Sequence, residues 1–419
     1  MLRPVPPVPV PVGRRRPDVV ARAEPTRRRG GPVPFGEYQN EIYLRGLSGD
    51  HVALPVDWRE REDAAHAAMT PGAHGYVGGS AGAELTAANN VAAFDRWRIV
   101  PRFLRDVSER DPSTEVLGIP LTAPVALAPI GVLEIVHPEA ERAVARACAA
   151  TGTAMVLSSA ASNTMEDVAA DLGDAPGLFQ LYWPKSRDIA ASFVSRAERA
   201  GYRAILVTLD TTILAWRPRD LQTAYLPFLE GKGVANYFSD PAFRDLLGAS
   251  PEDDPQGAIL TWVGQFSNPA LTWDDLAFLR EHTGLPILLK GVLHPDDARR
   301  AVDVGMDGVV VSNHGGRQVD GAIAAVDALP GVVEAVAGAV PVLMDSGVRT
   351  GSDVIKAVAL GAAAVLLGRP YVHGLALGGE DGVVEVVRSL LAELDLTMAL
   401  SGHRALDTLT AEILAPAPG

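Results

Sequence analysis

Residues 286–318 read PILLKGVLHPDDARRAVDVGMDGVVVSNHGGRQ, and this stretch decides the fold. A short apolar run, Pro286–Leu289, is followed by helical spacing over Pro295–Val304 and then by a second apolar run, Gly308–Val311. Runs this short and this apolar suit strands buried on both faces, and a helix between two of them is the crossover of a parallel sheet. Each run ends on polar residues: Lys290 after the first, Ser312-Asn313-His314 after the second.

The same unit recurs from residue 124 onward. Further runs are Val125–Ala128, Ala154–Leu157, Leu178–Leu181, Ala204–Leu209, Pro341–Met344 and Ala364–Leu367, which makes eight with the two above. Helical patterns lie between them, as at Ser186–Ala200 and Gly351–Leu360. Eight strands with intervening helices over some 250 residues fit an α/β fold of the (β/α)8 TIM barrel type better than an open doubly wound sheet. Chemistry-bearing residues follow every run: Pro129-Ile130-Gly131, Ser158-Ser159, Gln180 and Tyr182, Thr208 and Asp210, Lys290, Ser312 to His314, Asp345, and Gly368-Arg369. The C-terminal strand ends of such a barrel converge on one pocket, so this placement predicts a single active site.

The residues before the barrel predict an N-terminal helical cap. Between the fourth run and the helix opening at Thr272-Trp273-Asp274-Asp275 lies a long connection with Pro227, Gly231, Gly233, Asp253, Asp254 and Pro255. A connection of this length after strand four predicts a lid, residues 221–271, over the pocket mouth.

Composition sets the broader limits. The chain has 419 residues, 47% hydrophobic and 21% charged, enough apolar content for a large core. No apolar run is long enough to span a bilayer and the start has no apolar signal region, so a soluble, cytoplasmic protein without a membrane partner is expected. The one cysteine, Cys148, falls in an amphipathic pattern over Pro138–Thr151 and reads as a core residue, leaving no disulfide and no cysteine metal site. No other metal-ligand motif is read. Residues 1–34 carry eight arginines against Asp18 and Glu24, or +6, so within the net charge of −14 the rest carries −20. Without aromatics, and in front of an acidic body, that arm reads as a Pro/Arg-rich disordered tail rather than a nucleic-acid grip, and the domain proper is 35–419.

Several strings carry chemistry. In Ser312 to Gln318, His314 and Arg317 stand three apart with two glycines between them. Imidazole accepts a proton near neutral pH, and guanidinium grips a carboxylate by two parallel bonds, so the pair suits a hydroxy acid. Lys290, one of only four lysines, ends a buried strand, where a fixed positive charge would stabilise an anionic reduced flavin. Asp345-Ser346-Gly347-Val348-Arg349 and Gly368-Arg369 follow strands seven and eight, the usual phosphate site of these barrels. Arg217, in Trp216-Arg217-Pro218-Arg219, is a second candidate for the carboxylate, and Tyr76 could reach in from the cap. Gly78-Gly79-Ser80-Ala81-Gly82 matches the spacing of a serine-hydrolase elbow, but no strand precedes it.

The order of these strings resembles the FMN-dependent 2-hydroxy acid oxidising family, within it most closely the lactate 2-monooxygenases. The resemblance runs from about Phe35 to the C-terminus. It is carried by Glu41-Ile42-Tyr43, Tyr76-Val77, Ala128 to Val132, Phe179 to Tyr182, Thr208 to Thr211, Trp216 to Asp220, His294 to Arg300 and Ser312 to Gln318. It implies FMN as cofactor, with His314 the base at the substrate C2 hydroxyl and Asp210 stabilising its protonated form. Arg317, Arg217 and Tyr76 would hold the carboxylate and Tyr182 would touch the substrate oxygen. Lys290 would sit at the pyrimidine edge of the flavin, with Pro129, Ile130, Gly131, Ser158, Gln180, Thr208 and Ser312 around the ring. Asp345, Ser346, Gly347, Arg349, Gly368 and Arg369 would hold the phosphate end. The implied substrates are a small L-2-hydroxy acid, lactate above all, and O2, the products acetate, CO2 and water, and the assembly a homo-oligomer, tetramer or octamer. Two positions depart from parts of the family: Ala160, where a bulky aromatic stands in glycolate oxidase, and Gly131, where many members have alanine, which would leave more room beside the flavin.

Overall fold

The structure, a computed structural model, describes residues 34–417. The expectation of a tail over 1–34 therefore lies, Pro34 apart, outside the described residues. Four helices come first: α1 (Glu37–Gly46), α2 (Trp58–Ala68), α3 (Pro71–Gly78) and α4 (Leu85–Ala92). Thr70 caps α3 by accepting from Ala73 N, and Pro71 opens it where a missing N–H costs nothing. Gly78 thus ends a helix, and no strand runs into Ser80.

Eight parallel strands then close on themselves in chain order: β1 (Val125–Leu127), β2 (Ala154–Ser158), β3 (Gly177–Leu181), β4 (Ile205–Thr208), β5 (Ile287–Val292), β6 (Gly308–Val311), β7 (Val342–Met344) and β8 (Ala364–Leu367). Between and around them run α5 (Ala140–Thr151), α6 (Met165–Leu172) and α7 (Arg187–Arg199). Next in the chain come α8 (Pro218–Thr223), α9 (Ala235–Phe238), α10 (Pro241–Arg244), α11 (Pro255–Phe266) and α12 (Leu276–Arg280). The last are α13 (Pro295–Asp303), α14 (Ala325–Val336), α15 (Gly351–Ala359) and α16 (Arg369–Ser401). The (β/α)8 barrel read from the sequence is the fold.

The period of two along each strand sorts the core into two shells. Leu206, Leu288, Val310 and Leu366 pack inside the barrel with Ala126, Ala154, Ala204 and Ala364. Their neighbours Ile205, Val207, Leu289, Val309 and Val311 pack outward under the helices. A hairpin (Thr114–Val116 with Ile119–Leu121) adds Val116, Ile119 and Leu121 to the inner shell. Strand register levels the functional ends, because Ser158 pairs with Gln180 and Thr208 with Lys290. A bulge between Lys290 and Val292 then re-aims β5. Its Gly291 has φ +109°, and a Cβ there would lie 2.9 Å from the Asp210 side chain.

Segment 221–271 is built of short helices, and its middle is anchored. Phe228, Tyr237, Phe243 and Trp262 are buried. Asn236 Oδ1 accepts from Met165 N (2.8 Å) at the start of α6, and Arg196 Nη1 of α7 donates to the buried Asp240 Oδ2 (2.9 Å).

Candidate active site

One cavity opens at the C-terminal strand ends. Its wall includes Tyr76, Pro129, Ile130, Gly131, Tyr182, Thr208, Arg217, Lys290, His314, Arg317, Asp345, Ser346, Gly347, Arg349, Gly368 and Arg369. Sixteen residues singled out from the sequence thus meet in one place, although they come from the cap and from seven of the eight strand ends or βα connections. Ser158, Gln180, Asp210 and Ser312 do not line it; they stand one layer behind and hold the residues that do.

That second layer is continuous. Ser158 Oγ donates to Gln180 Oε1 (3.0 Å), and Gln180 Nε2 donates to Thr208 Oγ1 (2.8 Å). Lys290 Nζ donates to Ser312 Oγ (2.9 Å) and pairs with Asp345 Oδ2 (2.9 Å). Burial works to strip Lys290 of its proton, but the Asp345 and Asp210 carboxylates outweigh it and its pKa stands above the ordinary value. The cavity therefore keeps a fixed cation at the end of β5.

His314 sits in a left-handed conformation, φ +59°. Its Nδ1 lies 2.8 Å from Asp210 Oδ1, which also accepts from Thr211 Oγ1 at 2.8 Å. With Nδ1–H turned to the carboxylate, Nε2 keeps its lone pair and faces the Tyr182 hydroxyl at 3.4 Å. Burial lowers the imidazole pKa and Asp210 only partly restores it, so His314 is neutral and basic at pH 7. Asp210 Oδ2, buried and without a hydrogen-bond partner among the described residues, leaves that carboxylate with acceptor capacity to spare.

Two arginines face this pair. Arg217 Nε donates to Arg317 O (3.0 Å) and its Nη2 to Gln318 Oε1 (2.6 Å). Arg317 donates to the carbonyls of Tyr76 and Gly79 (2.8 Å for the latter) and lies over the Tyr76 ring. Neither has a carboxylate partner among the described residues. Burial, and then the neighbouring Arg217, bring the Arg317 pKa down to about 10. Two buried cations on neutral acceptors form a site short of one negative charge.

The far end shows the same deficit. Arg369 spends its N–H groups on Val77 O (3.0 Å), Gly315 O (3.0 Å), Gly79 O (3.2 Å) and Ser80 Oγ (2.9 Å), all neutral, and burial takes its pKa to about 9. Arg349 donates from Nη1 to Val348 O (3.1 Å) and meets a carboxylate only at Glu62, 3.7 Å away, and its buried Nε lacks a hydrogen-bond partner among the described residues. Between them the backbone turns tightly through Ser346 and Gly347 (φ +74° and +100°), and a Cβ on Gly347 would collide with Asn90 O at 2.2 Å. Two arginines with a single carboxylate between them, 3.7 Å from Arg349, beside such a turn and the N-terminus of α16 fit a phosphate. Ala128, Ile130 and Leu366 supply an apolar wall between the two deficits. A long ligand with a flat body and a phosphate tail, as FMN has, fits this donor set.

Sequence reasoning missed other parts. Phe228 and Phe266 also line the cavity, from the segment read only as a lid, and Leu214 joins them from just before it. Asn90 of α4 exchanges two amide hydrogen bonds of 2.7 Å with Asn313, next to His314. Glu141 of α5 accepts from Leu133 N and Ser162 N (both 3.1 Å), tying the first βα loop to the second. No motif announces either residue. Gly131 needs a correction in its physical reason: a Cβ there would lie 2.6 Å from Ala160 O. The space an alanine methyl would take is filled by backbone, so glycine here allows two loops to touch and does not open room beside the ligand.

Comparison with known proteins agrees with this donor set. The family model for FMN-dependent dehydrogenases matches residues 65–416. An FMN-dependent alpha-hydroxy acid dehydrogenase of Penicillium citrinum is 43% identical over 377 residues, 89% of this chain and 94% of the relative. An L-lactate oxidase of Lysinibacillus sphaericus is 40% identical over 88% of this chain and 95% of its own. Among solved structures, a mandelate oxidase superposes with a TM-score of 0.77 at 36% identity, covering 87% of this chain and 99% of the other.

Proposed function

The chain belongs to the FMN-dependent dehydrogenase family, and from that premise we propose that it oxidises a small L-2-hydroxy acid of lactate size with O2 as acceptor. That it is an FMN-dependent 2-hydroxy acid oxidoreductase follows from the family; the substrate, the acceptor and the residue roles are our reading. The observation that carries it is the His314–Asp210 pair at 2.8 Å, facing two buried arginines without counter-charge. A hydroxy acid brings what that geometry lacks, a carboxylate for Arg217 and Arg317 and a hydroxyl proton for His314 Nε2.

FMN held in this cavity would supply the two-electron acceptor for the hydrogen at C2 of the substrate. The protein does the rest. Arg217, Arg317 and the Tyr76 hydroxyl hold the carboxylate, and Tyr182 orients the hydroxyl. His314 takes its proton, and Asp210 stabilises the imidazolium through the Nδ1 bond. Lys290 keeps positive charge where the reduced ring becomes anionic, while Arg349 and Arg369 hold the phosphate. Phe228 and Phe266 exclude water from above.

Lactate and O2 give pyruvate and hydrogen peroxide, and we propose that this roof retains both until peroxide attacks the keto carbon, leaving acetate, CO2 and water. The aromatic roof and the L-lactate oxidase relative support lactate, and the roof alone supports retention. We further propose that the chain forms a cytoplasmic homo-oligomer, a tetramer or octamer. Turnover of L-lactate in air with excess catalase tests the product: acetate equal to lactate consumed is expected. Pyruvate in that amount would make the enzyme an oxidase that releases peroxide, and rapid anaerobic reduction without O2 uptake would assign another acceptor. The base is tested by His314→Ala, which should slow anaerobic flavin reduction by at least about 10²-fold with FMN still bound.

A further inference from the structure

We propose that Glu62, His66 and His373 form a site for one divalent transition-metal ion, Zn2+ by ligand preference, joining the N-terminal cap to the helix that carries Arg369. Glu62 and His66 stand four apart on one face of α2, and His373 lies near the start of α16. One ligand atom from each falls within 4.8 Å of the others, with His66 Nε2 4.0 Å from Glu62 Oε1. A spacing of more than 300 residues hides this set from any sequence motif.

Two independent observations point to a missing ligand. The Nε2 atoms of His66 and His373 are both buried without a hydrogen-bond partner among the described residues, and His373 is only 2% exposed. Unpaired buried nitrogens on both rings are a cost that a shared ion would remove. The rings are also held in place. His66 stacks on His74 with centroids 4.4 Å apart and meets His373 edge-on at 5.3 Å. Gly78 leaves the space beside His66 Nε2 clear, since a Cβ there would approach it to 3.1 Å.

Two imidazoles and a carboxylate, with water in the fourth position, are a ligand set that Zn2+ favours. Bonds of about 2.0 to 2.1 Å require donors about 3.4 Å apart, so small side-chain rotations must draw the three together. The side chains of Glu62 and His66 are 21% and 19% exposed, which gives the ion a way in. The opposing charges are Arg349, whose Nε lies 3.7 Å from Glu62 Oε2, and Arg61 and Arg369, which also act on His373. Glu62 can keep that oxygen on the arginine while Oε1, the one nearer His66, takes the ion. A phosphate held by Arg349 and Arg369 further offsets the local positive charge, so the FMN-loaded enzyme is the form to test.

The chelator-treated, FMN-loaded enzyme is dialysed against micromolar Zn2+ and its metal content counted. Saturation at one ion per chain is expected, with zinc X-ray absorption showing two imidazole nitrogens. Affinity should fall by at least about a hundredfold in both His373→Phe and His66→Gln, flavin absorbance being retained. Absence of saturable binding in the unsubstituted enzyme, zinc without imidazole in its shell, or unchanged affinity in both variants would each overturn the proposal. The first two outcomes need no variant to fold.

Discussion

His314 shows how single contacts set a working pH. In the fold its imidazole protonates only below the ordinary value of 6.5, because burial outweighs the Asp210 carboxylate. The base form is therefore present throughout the neutral range, and flavin reduction by lactate should lose rate only as pH falls below about 6.5. Asp210→Asn removes the carboxylate, so the acid limb should move to still lower pH while the plateau drops at least about tenfold, the imidazolium having lost its partner. Stopped-flow reduction between pH 5 and 9 measures both, and an acid limb above 6.5 in the unsubstituted enzyme would refute the burial argument. Arg217 and Arg317 were readable from their chemistry, as was His314. Asn90, which holds Asn313 beside His314, and Glu141, which joins the first two βα loops, were not, because a structural amide or carboxylate has no spacing rule and shows itself only once the chain is folded.

At the scale of elements, α4 is tied to the catalytic loop by the Asn90–Asn313 amide pair and to the loop's continuation by Thr86, which meets Val319, Asp320 and Ala322. Removing the Asn90 side chain leaves one Asn313 N–H unmet and takes the side-chain acceptor from Ala325 N, while Asn313 keeps Gly316 N on its Oδ1 and Ile323 O on its Nδ2, a cost of about 1–3 kcal/mol. Asn90→Ala should therefore lower stability by that amount in urea and reduce kcat more than it alters KM, because His314 adjoins Asn313. Normal kcat with the same loss of stability would make the pair purely structural. Strand reading was accurate at this scale, with each of the eight runs within two residues at its start and three at its end, since strands covered on both faces must be apolar throughout. The connection after β4 was harder. Its Gly, Pro and Asp residues announce turns, but α9 and α10 are only four residues each, too short for helical periodicity to register. What anchors them, Arg196 on Asp240 and Asn236 on the start of α6, is tertiary.

For the molecule as a whole, the balance of charge turns on the ligand. An acidic chain, net −14, encloses arginines 317, 349 and 369 in a cavity with too few anions to match them. Removing FMN should therefore cost stability. At a thousandfold excess over its Kd the cofactor contributes about 4 kcal/mol, which raises the unfolding temperature by several degrees. Inorganic phosphate should recover part of that rise by occupying the arginine end alone. Equal unfolding temperatures with and without FMN would mean that the folded chain does not bind it.

Arg369 donates to the carbonyl of Val77 across 292 residues of chain. A ribosome adding about 5–20 residues per second separates the synthesis of these two residues by roughly 15 to 60 s. For that interval the cap helices have emerged without the strand end that completes their seat, and a nascent chain arrested before β8 leaves Val77 O and Ser80 Oγ without the Arg369 donor they have in the fold. The phosphate end of the site thus forms only after β8 is made, and any chain ending short of residue 369 should yield a colourless protein, however much of the barrel it contains.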